Sequence, residues 1–202
     1  EMKGSLIIIV FFILGTFLGI KNLAPAFILS YNVSFDALCA LMFCIGITIS
    51  SDPKILRSLR SINPRLLLLP VMTILGTLVG TALVGLILSN HSSTECMAVG
   101  SGFGYYSLSS VLISQKEGAA DLATIALLSN IMREIIALMG APLFYKYFGV
   151  FAPISAGGAT TLDTTLPTIT KAVGKEYTVV CIFHGLLLDV SVVFLVTFLL
   201  SL

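Results

Sequence analysis

Long apolar runs alternate with short polar segments along the chain, and five of the runs are long enough to cross a bilayer. A helical crossing of a hydrocarbon core about 30 Å thick needs about 20 mostly apolar residues. The pattern predicts crossings over residues 4–20, 33–50, 66–88, 122–145 and 177–202. Ser92 and Glu95 have the spacing of a capping box, which predicts a helix start after the third crossing. We therefore predict an all-α integral membrane protein.

Two further apolar segments, 98–114 and 150–167, are interrupted by glycine, serine and threonine. Irregular backbone at membrane depth persists only where protein or water satisfies its polar groups. We therefore predict that both segments are re-entrant. The alternative is that both segments cross, which gives seven crossings in place of five.

Residues 96–202 form two similar units. In each unit an irregular segment is followed by a polar turn and by a spanning helix with charges near its middle. Gly102 and Gly157 are separated by as many residues as Glu134 and Asp189. If the irregular segments re-enter, the units form an inverted repeat, from which many secondary transporters build a site near the middle of the bilayer. If they cross, the repeats run parallel.

The composition supports a membrane protein without a soluble module. Apolar residues make up 57% of the 202 residues, charged residues make up 10%, and the mean hydropathy is +1.06. Soluble domains contain about a quarter charged residues. We therefore expect one membrane domain over residues 1–202, with three helices in 1–95 and the repeat units after them. The net charge of +1 gives no global field that favours nucleic acid or acidic partners.

The polar segment over residues 51–65 sets the predicted orientation. It carries four of the eleven basic residues and has the pattern of an interfacial helix. The positive-inside rule places this loop in the cytoplasm. The N-terminus is then cytoplasmic, and the C-terminus lies outside with either number of crossings.

The first apolar run also has features of a secretory signal peptide, because Lys3 precedes it and Ala24-Pro25-Ala26 follows it. Its length, and the small-residue face formed by Gly15 and Gly19, favour a first membrane helix.

Five ionisable side chains lie within apolar segments and define the candidate site: Arg133, Glu134, Asp163, His184 and Asp189. A charge at a helix centre costs roughly 2.5–3.5 kcal/mol on insertion scales, so these groups must pair, face water or stay neutral. One arginine against three acids leaves a formal charge of −2 when His184 is neutral. An acid-rich, hydrated cavity of this kind attracts cations.

Glu134 and Asp163 are the preferred candidates for binding a cation or a proton. Asn130 lies four residues before Glu134 and shares its helix face. Arg133 points about 100° away from Glu134, and we expect it either to tether another acid or to form a structural ion pair. Asp163 is surrounded by hydroxyl groups, Thr160 among them, and its alternative role is a helix cap. The alternative for Glu134 is a buried ion pair.

His184, Asp189 and Tyr105 complete the candidate site with less specific patterns. A lone histidine in a helix is more often satisfied by a backbone or hydroxyl neighbour than reactive. Tyr105 is expected to line the cavity, although tyrosines are common at membrane interfaces.

No motif indicates a cofactor. The four cysteines lack metal-ligand spacing and are expected to be apolar core residues. No G-x-x-x-x-G-K-[ST] loop occurs, so we expect transport to draw on an ion gradient.

Two other classes of protein fit the sequence less well. An intramembrane hydrolase could use Ser101 or Ser107 with His184, but no G-x-S-x-G elbow supports it. A subunit that only completes a partner's helix bundle would have no use for buried acids, which are costly in a membrane.

The motifs resemble those of the LysO lysine-exporter family. The resemblance rests on GSGFGYYSLS over 100–109, on Arg133-Glu134, on GATTLDTTLP over 158–167 and on His184-Gly185, and it covers nearly the whole chain. It implies export of L-lysine, and of toxic analogues such as thialysine, across a bacterial inner membrane. In that family a pair of intramembrane acids is central to export, and the matching positions are Glu134 and Asp163.

The expected mechanism is secondary transport by proton antiport, because carboxylates titrate when they are desolvated. Longer members of the family carry additional N-terminal crossings. We expect a homodimer or a second membrane subunit to supply them here. The alternative functions are a subunit of a two-component amino-acid exporter and an exporter of another small cationic solute.

Overall fold

The computed structural model describes residues 68–88 and 90–202, together with residue 66 and isolated positions between 14 and 47. The chain divides into two compact units, Glu1–Cys44 and Ile45–Leu202. In the first unit the described positions are helical apart from a turn at Lys21. The predicted crossings over 4–20 and 33–50 fall mostly outside the described residues, and the basic loop 51–65 falls wholly outside them.

Every element with described bounds is helical. Numbered from the first of them, the helices are α1 (Leu68–Ile87), α2 (Ser93–Gly100), α3 (Tyr106–Ser114), α4 (Ala120–Phe148), α5 (Phe151–Gly157), α6 (Leu166–Val173) and α7 (Thr178–Leu200), with 3₁₀ turns at Gly158–Leu162 and Lys175–Tyr177. Among the helices with described bounds, α1, α4 and α7 are long and apolar enough to cross a membrane. They coincide with the crossings predicted over 66–88, 122–145 and 177–202, and the all-α membrane fold is confirmed.

α1 and α4 run antiparallel. Thr77, near the middle of α1, accepts a hydrogen bond of 3.3 Å from Arg133, near the middle of α4. A cavity of about 400 Å³ is lined both by Leu88, just after α1, and by Leu122, at the start of α4. The end of α1 and the beginning of α4 therefore lie on the same side of the molecule.

α2 and α3 form the first hairpin, residues 93–114. The predicted capping box starts α2: the Ser92 hydroxyl accepts from the Glu95 amide, and the Glu95 carboxylate accepts from the Ser92 amide. α2 runs back along α1, with Ser93 packed on Gly85 and Gly100 packed on Thr81. After a turn at 101–105, α3 returns along α4 and joins it through a short loop. Both ends of the hairpin lie where α4 begins, as expected of a re-entrant segment.

α5, the 3₁₀ turn Gly158–Leu162 and α6 form the second hairpin, residues 151–173. α5 begins three residues after α4 ends. The rings of Phe151, at the start of α5, and Tyr177, just after α6, are 6.4 Å apart in an edge-to-face contact. Ile154 and Val173 share a core cluster with Ala141 in the second half of α4. Both ends of this hairpin therefore lie where α4 ends.

The first hairpin has both of its ends where α4 begins, and the second has both of its ends where α4 ends. Each hairpin is followed by a helix of spanning length. The first hairpin leads into α4 and the second leads into α7. α7 starts where α4 ends and runs parallel to α1, since Thr73 near the start of α1 contacts His184 near the start of α7. α4 and α7 therefore run in opposite directions, and the two units have the inverted arrangement predicted from the sequence.

Candidate functional site

The tips of the two hairpins touch at a backbone contact. The amide of Ala159 in the second hairpin donates to the carbonyl oxygen of Phe103 in the first, at 2.9 Å. Gly158 has a φ of +65°, and a Cβ atom there would collide with the same carbonyl oxygen. Only glycine allows so close an approach at that backbone conformation.

Asn130 of α4 holds the tip of the first hairpin. Its side-chain oxygen accepts from the Gly104 amide at 2.7 Å, and its side-chain nitrogen donates to the Val99 carbonyl at 3.0 Å. The side chain is buried and also donates to Ala126 one turn earlier. Asn130 therefore gives the Gly104 amide an acceptor where the hairpin helix breaks, and it is a second donor to the Val99 carbonyl, which also accepts from the Gly102 amide.

Arg133 of α4 holds the tip of the second hairpin. Its Nε donates to the Ala156 carbonyl at 3.2 Å, and one Nη donates to the Ser155 carbonyl at 3.1 Å. The sequence predicted an acid as its partner. Within the described part of the chain, carbonyl oxygens and the Thr77 hydroxyl take that place.

His184 of α7 is fully buried and faces α1 and the second hairpin. Its two ring nitrogens lie 3.0 Å from the Thr73 hydroxyl and 3.3 Å from the Thr161 hydroxyl. These contacts are with threonines and not with Ser101 or Ser107. Hydroxyl neighbours satisfy the ring, which is the ordinary role expected for a lone histidine in a helix.

A cavity of about 100 Å³ lies beside the joined tips. Its described lining comes from both hairpins and from α4 and α7: Gly104, Tyr105, Tyr106, Ser107, Glu134, Ala159, Thr160, Leu162, Asp163, Thr164 and Asp189. We call it the carboxylate cavity. The described lining contains three acids and no base, a formal charge of −3 when all are ionised.

The three acids differ in exposure. Asp189 is 7% exposed, Glu134 is half-buried and Asp163 is exposed. Asp163 accepts from the amide of Thr164. Among the described residues, no cation forms a salt bridge with any of the three. Three carboxylates close together without a positive partner favour an incoming cation or a bound proton.

Five of the eight residues singled out from the sequence line the carboxylate cavity: Tyr105, Glu134, Thr160, Asp163 and Asp189. The other three, Asn130, Arg133 and His184, hold the hairpins and are absent from its described lining. Ser107 and Thr164 also line the cavity, although sequence reasoning assigned them no part in binding. Hydroxyl side chains are common in broken helices, so neither residue carried a distinguishing signal.

Comparison with known proteins gives one consistent result. Residues 9–200 match the family model described as lysine exporter LysO. A putative lysine exporter of Haemophilus influenzae Rd is 35% identical over 149 residues, which cover 74% of this chain and 74% of that protein. The lysine exporter LysO of Escherichia coli K12 is 30% identical over 161 residues, which cover 80% of this chain and 52% of that protein. No solved structure matches the chain.

Proposed function

Because the chain belongs to the LysO lysine-exporter family, we propose that it exports L-lysine, and analogues such as thialysine, across a bacterial inner membrane by proton antiport. The observation that carries the proposal is the carboxylate cavity, where Glu134, Asp163 and Asp189 converge between two opposed hairpins. Broken helices that meet near the middle of a bilayer are the usual place for a secondary transporter's substrate site.

The charge of the cavity suits the charge of lysine. Lysine carries two ammonium groups and one carboxylate at neutral pH, and so enters as a cation. Among the described residues, no cation pairs with the carboxylates of Glu134 and Asp189 at the cavity, which leaves them available to ammonium groups. Hydrogen bonds to charged groups contribute about 1.5–3 kcal/mol each.

The first hairpin offers a place for the carboxylate of lysine. α3 begins at Tyr106, and no side chain caps its N-terminus. Tyr105, Tyr106 and Ser107 line the cavity at that helix start. The amide of Tyr106 already donates to the Gly104 carbonyl at 3.0 Å, but the next amides at a helix start have no partner within the helix and favour an anion. We therefore place the amino-acid carboxylate at the start of α3 and the ammonium groups at the acids.

Proton coupling follows from the same carboxylates. When lysine leaves, three acids in a small cavity repel one another, so proton uptake becomes favourable. Binding of the next lysine cation favours their ionised forms and releases protons. A carboxylate that binds either a proton or an ammonium group, but not both, couples the two flows in opposite directions.

We place the N-terminus in the cytoplasm and the C-terminus outside, in keeping with the basic loop 51–65. The match covers 52% of the E. coli exporter. The second candidate function is transport of lysine by this chain only as a homodimer or together with a second membrane subunit.

Counterflow of radiolabelled lysine into liposomes tests the proposal. The purified chain should exchange lysine, and an imposed pH gradient should drive net flow. Glu134→Gln and Asp163→Asn should each abolish exchange. Asp121→Asn is the matched control, because Asp121 is an exposed acid in the first turn of α4 and is absent from the described lining of the cavity.

Three outcomes separate the candidates. Exchange by the chain alone supports the exporter. Exchange only after a second membrane protein is added supports the two-component form. Unchanged exchange in both cavity variants would remove the carboxylates from the mechanism.

A further inference from the structure

Arg133 is a charged group in a spanning helix, and none of the transport steps above uses it. An arginine in the middle of an amino-acid transporter is the obvious candidate to bind the substrate carboxylate, because its planar fork matches a carboxylate. Arg133 is absent, however, from the described lining of the carboxylate cavity. It borders the separate cavity of about 400 Å³ between α1, α2 and α4.

The donors of Arg133 are directed at the second hairpin. Its fork spans two consecutive carbonyls, those of Ser155 at 3.1 Å and Ala156 at 3.2 Å. Both residues lie in the last turn of α5, where carbonyl groups have no partner within the helix and the helix dipole favours a cation. A third donor reaches the Thr77 hydroxyl on α1 at 3.3 Å.

The same guanidinium also contacts the first hairpin. Its central carbon lies 5.8 Å from the centroid of the Phe103 ring, within the range of a cation–π interaction. Phe103 is fully buried, and its carbonyl accepts the inter-tip hydrogen bond from Ala159. One side chain therefore touches both tips where they join.

We propose that Arg133 is a positioning residue that holds the two hairpin tips together and so keeps the three carboxylates around one cavity, without contacting the substrate. The neighbours of the joined tips, Gly104 and Thr160, line the cavity directly. Loss of the Arg133 contacts would shift both halves of the site. The inference rests on the proposed function for its transport assay, but its geometry does not depend on which amine is carried.

Competition in lysine counterflow distinguishes a clamp from a substrate ligand. Cadaverine is lysine without its carboxylate. In Arg133→Lys the charge stays, but an ammonium group cannot reproduce the fork across two carbonyls. We expect the half-inhibitory concentrations of lysine and cadaverine to rise by the same factor, about 10-fold or more, because small misplacements of a site have large effects. Thr77→Val is the matched control, since it removes the third contact and leaves both tip carbonyls bound.

Hydrogen–deuterium exchange gives a second readout that needs no transport. In Arg133→Lys both tips, 101–105 and 155–162, should exchange faster than in Thr77→Val. If Arg133→Lys raises the half-inhibitory concentration of lysine but not that of cadaverine, the inference is overturned, because Arg133 would then bind the substrate carboxylate. Unchanged affinities in a less stable protein would also overturn it. If the wild-type protein does not exchange lysine, the proposed function is contradicted. The rates of hydrogen–deuterium exchange at the two tips still test whether Arg133 holds them together.

Discussion

Arg133 and Glu134 are neighbours on α4, yet their side chains lie on opposite sides of the joined hairpin tips. Arg133 donates to the carbonyls of Ser155 and Ala156, whereas Glu134 lines the carboxylate cavity on the other side of the joined tips. Side chains one residue apart on a helix point about 100° apart, so they cannot pair with each other. The positive charge is thereby kept out of the cavity, and the cavity keeps its excess of acid.

Asp189 should be needed for transport and should cost stability. It is 7% exposed, lines the cavity, and receives no hydrogen bond from the described residues. A carboxylate that borders a small cavity beside two other acids, with no cation paired to it among the described residues, is costly, so Asp189→Asn should raise the melting temperature in detergent. The same variant should lower lysine exchange about 10-fold or more, since a bond to a charged group contributes about 1.5–3 kcal/mol.

Asp121→Asn again serves as the control for Asp189→Asn, because it removes an exposed carboxylate. It should leave lysine exchange unchanged, and it should lower the melting temperature slightly and not raise it, because Asp121 lies in the first turn of α4, where the helix dipole favours an acid. A stabilised Asp189→Asn protein with normal exchange would show that this acid takes no part in binding lysine.

Gly158 should tolerate no side chain, and Gly118 provides the comparison. Both have positive φ, +65° and +76°, but a Cβ at Gly158 would collide with Phe103, whereas a Cβ at Gly118 meets nothing within 4 Å. Gly118→Ala should cost only the conformational strain, about 1–2 kcal/mol. Gly158→Ala should cost more and should also lose lysine exchange, because the tips can no longer touch. Thermal melting and counterflow of both variants check this. Equal losses of stability in both would mean that the tips do not need the close contact.

The sequence predicted the parts of this fold that lipid constrains most strongly. The spanning helices had to be long and apolar, and the two glycine-rich segments could not face lipid, so their re-entry could be expected. Glu134 and Asp163, which line the same cavity, were singled out from the sequence because a charge in a membrane is costly; their part in transport stays a prediction.

The contacts of Arg133 could not be predicted in the same way. The helix angle between Arg133 and Glu134 already separated their directions, but backbone carbonyls accept hydrogen bonds at every residue and leave no mark in the sequence. An acid was therefore the natural partner to expect. The sequence did not single out Ser107 and Thr164 as cavity residues for a related reason, since a hydroxyl in a broken helix costs little free energy and so does not stand out.

The capping box at the start of α2 should give a pH-dependent contribution to stability. The hydrogen bond from the Ser92 amide lowers the pKa of Glu95 below its ordinary value of 4.5. Because the folded-state pKa is the lower one, the stabilisation is present above pH 4.5 and is lost as the pH falls through the folded value. Glu95→Gln keeps a capping side chain without its charge.

The Glu95→Gln protein should therefore melt at a lower temperature than the wild type at pH 7. The loss of unfolding free energy should be no more than about 0.5 kcal/mol, since solvent screens this partly exposed group. The difference should disappear in acid. Glu117→Gln, in the exposed loop before α4, should melt like the wild type at both pH values. A difference between Glu95→Gln and wild type that persists in acid would assign the effect to packing and not to charge.

The placement of the lysine carboxylate at the start of α3 predicts the order in which analogues compete. Cadaverine keeps both ammonium groups but cannot use the uncapped amides of α3. Norleucine keeps the carboxylate and the α-ammonium group but lacks the charge that the acids attract. Each lost charge-assisted bond is worth about 1.5–3 kcal/mol, so both compounds should inhibit lysine counterflow at least about 10-fold more weakly than lysine does.

Ornithine, which keeps all three charged groups on a shorter chain, is the control and should compete better than either. If cadaverine competes as well as lysine, the start of α3 does not bind the carboxylate. The acids alone would then select the substrate, and the cavity would accept small diamines as readily as amino acids.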